Sequence, residues 1–142
     1  MITQYTTLPA AARAIRTAVF MEEQGYREEF DDLDERAIHF VAWQGDVPLG
    51  TCRLYPSAAP DEWRLGRLAV VRSARGQHIG RELLGAAADY ARSRGVKSIT
   101  LSAQLHAVSF CEQAGYRATG ETTLDGGHPH AAMRLILDPV HS

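Results

Sequence analysis

The chain has 142 residues, 45% hydrophobic and 23% charged, with a formal net charge of -2. That length suits one domain (1–142) with a hydrophobic core and is too short for two of ordinary size. The charge gives no general pull toward nucleic acid or an anionic membrane, and no apolar run approaches the ~20 residues needed to span a bilayer.

Ile2 to Thr7 alternates and predicts a short first strand. Leu8, Ala11, Ala12, Ile15, Val19 and Phe20 recur at helical intervals, predicting a helix over 8–20 with Thr7 as its N-cap. The stretch MEEQGYREEFDDLDE, 21–35, has no clean period and reads as an acidic loop holding one helical turn at most. AIHFVAW, 37–43, is a buried strand, QGDVP a turn, and LGTCRLYP, 49–56, the return strand of a hairpin. WRLGRLAVV, 63–71, is a third strand, and after the turn that follows comes a helix over 79–94. Ile79, Leu83, Leu84, Ala87, Tyr90 and Ala91 share one face of that helix, which Gly95 closes. KSITLSAQ is a strand, HAVSFCEQAG a short helix ending at Gly115, and YRATGETTL and HAAMRLIL are two more strands separated by DGGHP. Strands flank and follow the helices in mixed order, so the class is α/β or α+β with a mixed sheet. Cys52 and Cys111 form neither a disulfide framework nor a zinc site by spacing. Without the basic-then-apolar order of a secretory signal, the expectation is free thiols, no metal and a cytoplasmic protein.

The turn RSARGQHIGR, 72–81, joins a strand end to a helix start. The first backbone N–H groups of a helix have no partner within it, and the helix dipole adds partial positive charge there. Gly76 and Gly80 permit close approach of an anion, and Arg72, Arg75 and Arg81 flank the turn. The spacing fits neither a Walker loop nor a Rossmann fingerprint. Two readings stand on these residues alone: a phosphate seat, or a plain strand-to-helix turn with solvated arginines.

LAVVRSARGQHIGRELL resembles the coenzyme A loop of the GNAT superfamily of N-acetyltransferases, [QR]-x-x-G-x-[GA]. Arg75 takes the first position and Gly80 the last, while His78 replaces the middle glycine. Downstream, LSAQLHAVSFCEQAGYRATGE resembles the family's second signature, F-Y-x-x-x-G-[FY], through Phe110, Gly115 and Tyr116, with Cys111 at the usual tyrosine and Gln104 where an asparagine often contacts the cofactor. A small bacterial group of this superfamily carries R-x-x-V-F-x-x-E-Q, E-F-D-x-x-D, a strand histidine and G-x-P-H-x-x-M. All four are present here, as Arg16 to Gln24, Glu29 to Asp34, His39 and Gly127 to Met133. A fainter likeness to acyl-homoserine lactone synthases rests on Arg16, Phe20, Glu29, Asp31, Asp34 and Arg53.

The resemblance implies a mostly antiparallel central sheet of about 6–7 strands, splayed in the middle and flanked by helices. It implies acetyl-CoA as co-substrate and direct transfer to the amine of a small molecule or peptide. Backbone groups from Gly76 through Gln77, His78, Ile79 and Gly80 to Arg81, together with Arg75, would hold the pyrophosphate. Leu68, Ala69 and Val70 would take the pantetheine arm, with Gln104 a further contact, and a β-bulge nearby would aim an N–H at the thioester carbonyl. Glu23, Glu29, His39 and His130 are candidate bases. Cys111 is a candidate acid or a small buried apolar residue, and His130 could also act as acid through water.

Arg53 and Arg67 interrupt apolar strands, and Glu29, Asp31 and Asp34 could pair with them in an ion-pair network. Alternatively, Glu29, Asp31, Asp34 and Arg53 form an acceptor site whose carboxylates attract a cationic amine. If His78 adopts an ordinary αR conformation, His78→Gly changes coenzyme A affinity by less than about tenfold. The exposed edge of the last strand allows a homodimer. The rival functions are a non-catalytic acyl-CoA-binding regulator and a lactone synthase.

Overall fold

In the computed structural model, which describes residues 1–26, 30–125 and 127–137, a seven-stranded sheet runs in the order β1-β2-β3-β4-β5-β7-β6. Its strands are β1 (Ile2–Tyr5), β2 (Ile38–Gln44), β3 (Val47–Pro56), β4 (Glu62–Val70), β5 (Ser98–Gln104), β6 (Arg117–Asp125) and β7 (His128–Ile136). Every neighbouring pair is antiparallel except β4 and β5. Those two pair only from Glu62–Arg64 to Ser98–Thr100, after which they part. From Leu65 to Val70 the β5-facing edge of β4 is therefore free of a strand partner, and a groove opens in the middle of the sheet. The expected splayed mixed sheet is what forms, but the last strand, expected at an exposed edge, lies inside it between β5 and β6, and the edges are β1 and β6.

Helix α2 (Ile79–Ser93) buries Leu83, Leu84, Ala87, Ala88 and Ala91 against Phe40, Cys52, Leu54 and Ile99. Alternation along a strand sends Thr51 and Arg53 to the opposite face, where α1 (Ala10–Arg16) sets Ile15 against Ala69 together with Val19. Helix α3 (Val108–Gln113) joins the α2 layer through Cys111. Both α2 and α3 end in the glycine motif that the sequence predicts. At Gly95, Val96 N–H donates to Ala91 C=O (3.1 Å) and Gly95 N–H to Arg92 C=O (3.0 Å). At Gly115, Tyr116 N–H reaches Cys111 C=O (3.1 Å) in the same way, which fixes the fully buried Tyr116 ring in the core.

The first helix departs from expectation at both ends. Pro9, not Thr7, is its N-cap, with extended backbone and no side-chain capping bond. Proline presets the φ of a helix entry and lacks the N–H that would otherwise go unpaired. After Arg16 the chain widens into a π-helical segment, Thr17–Glu23, where Gln24 N–H donates to Val19 C=O (3.1 Å). The acidic stretch holds one 3-10 turn, Asp32–Glu35, closed by a capping box: Asp31 accepts from Leu33 N–H, and Asp34 accepts from Asp31 N–H.

Strand β4 carries a bulge that changes which face its residues meet. Thr51 pairs with Ala69 but Arg53 with Gly66, so Arg67 and Leu68 together oppose Cys52. Arg67 absorbs the extra residue at φ 53, a left-handed conformation that glycine usually supplies. Across the bulge, Leu65 packs in the α2 layer and Ala69 in the α1 layer. Among the described residues no helix is long and apolar enough to cross a membrane.

Candidate active site

Two cavities line the groove and share Leu68 and Phe110. One, of about 380 Å³, is bounded by Leu68, Val70, Arg75, Gly76, His78, Ile79, Gly80 and Arg81 with Phe110 and Gln113. The predicted cofactor-binding residues are thus gathered around one space, apart from Ala69, which packs beneath α1, Gln77, which is exposed, and Gln104, which lines the other cavity. At the helix start Glu82 N–H donates to His78 C=O (3.0 Å). Among the described residues the amides from Gly76 to Arg81 have no acceptor, leaving a run of donors at the positive end of α2. Gly80 is needed for packing, because a Cβ there would stand 2.9 Å from Phe110 Cζ.

His78 departs from an ordinary helical residue: its φ of 65 and ψ of 17 are left-handed. The middle position of the loop is therefore one where glycine is the unstrained choice. The left-handed conformation costs an L-residue about 1–2 kcal/mol, part of which glycine forfeits in backbone entropy. His78→Gly is accordingly expected to raise stability by about 0.5–1 kcal/mol, read as a higher urea midpoint at unchanged slope.

Arg75 is anchored rather than solvated. Its Nε donates to Val70 C=O (3.0 Å), and Nη1 and Nη2 donate to the two Glu23 carboxylate oxygens (2.7 and 2.8 Å). Arg72 Nη2 stands 3.6 Å from the same carboxylate. The Arg75 hydrogen bonds hold the Glu23 carboxyl below its ordinary range, which weakens it as a base. Glu23 ties the π-helical segment to the loop and does not line either cavity.

The second cavity, of about 310 Å³, lies between the parted ends of β4 and β5. Phe20, Gln24 and Tyr26 cover it from one side, and Gln24 Oε1 accepts from Gln104 Nε2 (2.9 Å). Cys111 and His130 line it, so two of the five candidate acid–base side chains meet there. Burial pushes the Cys111 thiol up to about 11, keeping it protonated near neutrality and making it a weaker acid than a free thiol. His130, on β7 opposite Gln104, has Nδ1 at 2.8 Å from His128 C=O. If Nδ1 carries the hydrogen for that bond, Nε2 is left with its lone pair.

His39 is elsewhere. It is buried on the α1 face with Nε2 2.9 Å from Asp34 C=O, and burial lowers its pKa. Asp31, Asp34 and Arg53 form a network with Arg16 on that face. Arg16 Nη1 and Nη2 donate to Asp34 Oδ1 and Oδ2 (2.7 and 3.1 Å), and Arg53 Nη1 bridges Asp31 Oδ1 and Asp34 Oδ1 (2.6 and 2.9 Å). Arg67 Nη2 reaches Asp31 Oδ2 at 3.4 Å. The geometry is that of the ion-pair network, with Arg53 alone of the four also lining the cleft. Glu29 lies outside the described residues.

The sequence reading missed Arg64, which lines the cleft, and the place of Arg16 in the network. Arg64 had a visible signal, since it interrupts WRLGRLAVV as Arg67 does. Arg16 stands out in the sequence only as a motif position, because its ion-pair partner is 18 residues away and only the fold brings them together.

Residues 9–137 match the model of the acetyltransferase (GNAT) domain. The uncharacterised N-acetyltransferase YjcF of Bacillus subtilis is 33% identical over 129 residues, covering 84% of this chain and 86% of that relative. The crystal structure of a Lactobacillus plantarum protein assigned as an N-acetyltransferase superposes with a TM-score of 0.89 at 36% identity, over 97% of this chain and 98% of that one. An acyl-CoA N-acyltransferase from Pseudomonas aeruginosa superposes with a TM-score of 0.83 at 27% identity, over 95% and 99%. With this domain match spanning the parted strands and the amide-lined loop, the chain belongs to the GNAT acetyltransferase family and is an acyltransferase.

Proposed function

We propose that the chain is an acetyl-CoA-dependent N-acetyltransferase that moves the acetyl group directly to the amine of a small molecule or peptide. The observation that carries this reading is the continuity of the groove. A run of unpaired amides at α2 leads along the free edge of β4 to a cleft holding His130 and Cys111. Gly76 to Arg81 would hold the pyrophosphate and the β4 edge from Leu68 to Val70 the pantetheine arm. The fit rests on two features: no side chain approaches a would-be Cβ at Gly76, and Gly80 is seated on Phe110. Acetyl-CoA supplies the acyl group already activated as a thioester.

In this reading the chain has three tasks. The Leu68 N–H, at the bulge, stabilises negative charge on an acyl oxygen, an effect worth ~3 kcal/mol for one donor. His130 Nε2 takes the proton of the attacking amine. Phe20, Tyr26 and Phe110 limit water in the cleft. Cys111 stays protonated and acts neither as nucleophile nor as acyl carrier.

Mass spectrometry tests direct transfer. Acetyl-CoA alone is expected to leave the protein mass unchanged, and adding an acceptor amine to yield the acetylated amine. An acetyl group on Cys111 that the amine then removes would contradict it. The loop assignment has its own check. Gly80→Val, which drives into Phe110, is expected to weaken coenzyme A binding more than about tenfold by calorimetry. Gly85→Ala, with nothing within 4 Å of the new methyl, serves as the matched control.

A further inference from the structure

The cleft is lined by Arg53, Arg64, Arg67, His106 and His130, and by no aspartate or glutamate among the described residues. Arg53 is neutralised by Asp31 and Asp34, and Arg67 shares Asp31. Arg64 differs. It stands where β4 begins to part from β5, and its guanidinium spans the gap by two long bonds, to Thr100 Oγ1 (3.4 Å) and Ser102 Oγ (3.5 Å). Both partners are neutral hydroxyls. Glu62, two residues earlier on the same strand face, is engaged by Arg134 at 3.4 Å. Arg64 thus holds a half-buried positive charge at the cleft with no ion pair among the described residues.

A polycation entering this cleft would meet like charge, whereas an anion would gain a guanidinium able to donate two parallel hydrogen bonds. Nearby positive charge also disfavours the ammonium form of an acceptor. The residue that seats an anion would therefore help to supply the neutral amine that attacks.

We infer that the acceptor is a small primary amine bearing a carboxylate or phosphate, which Arg64 binds. The inference rests on the acetyl-transfer reading for the amine and on Arg64 for the anion. It opposes the expectation that carboxylates of the acidic loop attract a cationic acceptor, because Asp31 and Asp34 are turned to the α1 face and occupied by arginines.

The test compares matched amines that differ only in the anion: an amino acid with its amide, and phosphoethanolamine with ethanolamine, with spermidine as the polycation. The anionic member of at least one pair is expected to have the higher kcat/KM by about tenfold or more. Which pair responds separates carboxylate from phosphate. Arg64→Met is expected to bring that ratio close to one, and Arg64→Lys to restore part of it, with thermal melting confirming that both fold. Preference for the neutral amines or spermidine, or a ratio that Arg64→Met leaves in place, overturns the inference while acetyl transfer stands. If no amine turns over, calorimetry with coenzyme A present decides. Binding of the anionic members that Arg64→Met abolishes upholds the anion site and rejects acetyl transfer to these amines; no such binding rejects both.

Discussion

Asp34→Asn is expected to destabilise the fold by about 3–5 kcal/mol, because it removes the carboxylate that two buried guanidinium groups share. Arg16 and Arg53 side chains are 1% and 3% exposed, and the Asp34 carboxylate between them is 7% exposed. An amide keeps the shape and removes the charge. The melting temperature is expected to fall by about 10 °C, and Arg16→Met to behave similarly. Replacing Arg16 and Asp34 together by apolar residues is expected to cost less than the sum of the single changes, since neither member of that pair is left behind and Arg53 keeps Asp31. If the network serves only to attract substrate, Asp34→Asn will leave the melting temperature in place and raise the amine KM.

The same site predicts acid sensitivity of defined sign. Burial alone would raise the Asp34 carboxyl, but the hydrogen bonds and charges of Arg16 and Arg53 outweigh it and hold the group at about 2, against an ordinary 3.8. The folded state therefore binds this proton less readily than the unfolded chain. The stabilisation is complete above the ordinary value and is lost as pH falls from there toward about 2. In Asp34→Asn this contribution to the acid limb of the stability profile is absent.

The second large effect falls on catalysis. His130→Gln is expected to lower kcat at least about 100-fold, the usual range for loss of a positioned general base. Glutamine retains hydrogen-bonding capacity but cannot take up the amine's proton. Glu23→Gln is expected to be milder in kcat, since Glu23 is committed to Arg75 and lies outside the cleft. A Glu23 variant that loses as much kcat as His130→Gln would shift the proton acceptor to the Arg75–Glu23 clamp.

How much of this was legible depended on the range of the interactions. The loop from Arg75 to Arg81 could be read because its spacing, flanking strand and following helix are all local in sequence. The glycine ends of α2 and α3 were legible for the same reason. His78 could be identified as an irregular position, but not its left-handed backbone, which is a conformation rather than a pattern. Arg53 could be seen as a charge needing a partner in an apolar strand. Asp31 and Asp34 could be named as its partners, but that Arg16 joins them required α1, the 3-10 turn and β3 to be brought together. Sorting the candidate bases likewise required the sheet: His39 and His130 both sit in apolar strands, but one faces α1 and the other the cleft. The bulge expected near Leu68 to Val70 falls at Arg67 and Leu68, where Arg67 takes the left-handed conformation.

The most direct measurement is release of coenzyme A thiol from acetyl-CoA across a panel of amines, for the wild type and His130→Gln side by side. The account predicts release that depends on the amine, yields one acetylated product per thiol, and falls at least about 100-fold in the variant. Tight coenzyme A binding without amine-dependent release across the panel would contradict it and leave a protein that binds the cofactor without acetylating these amines.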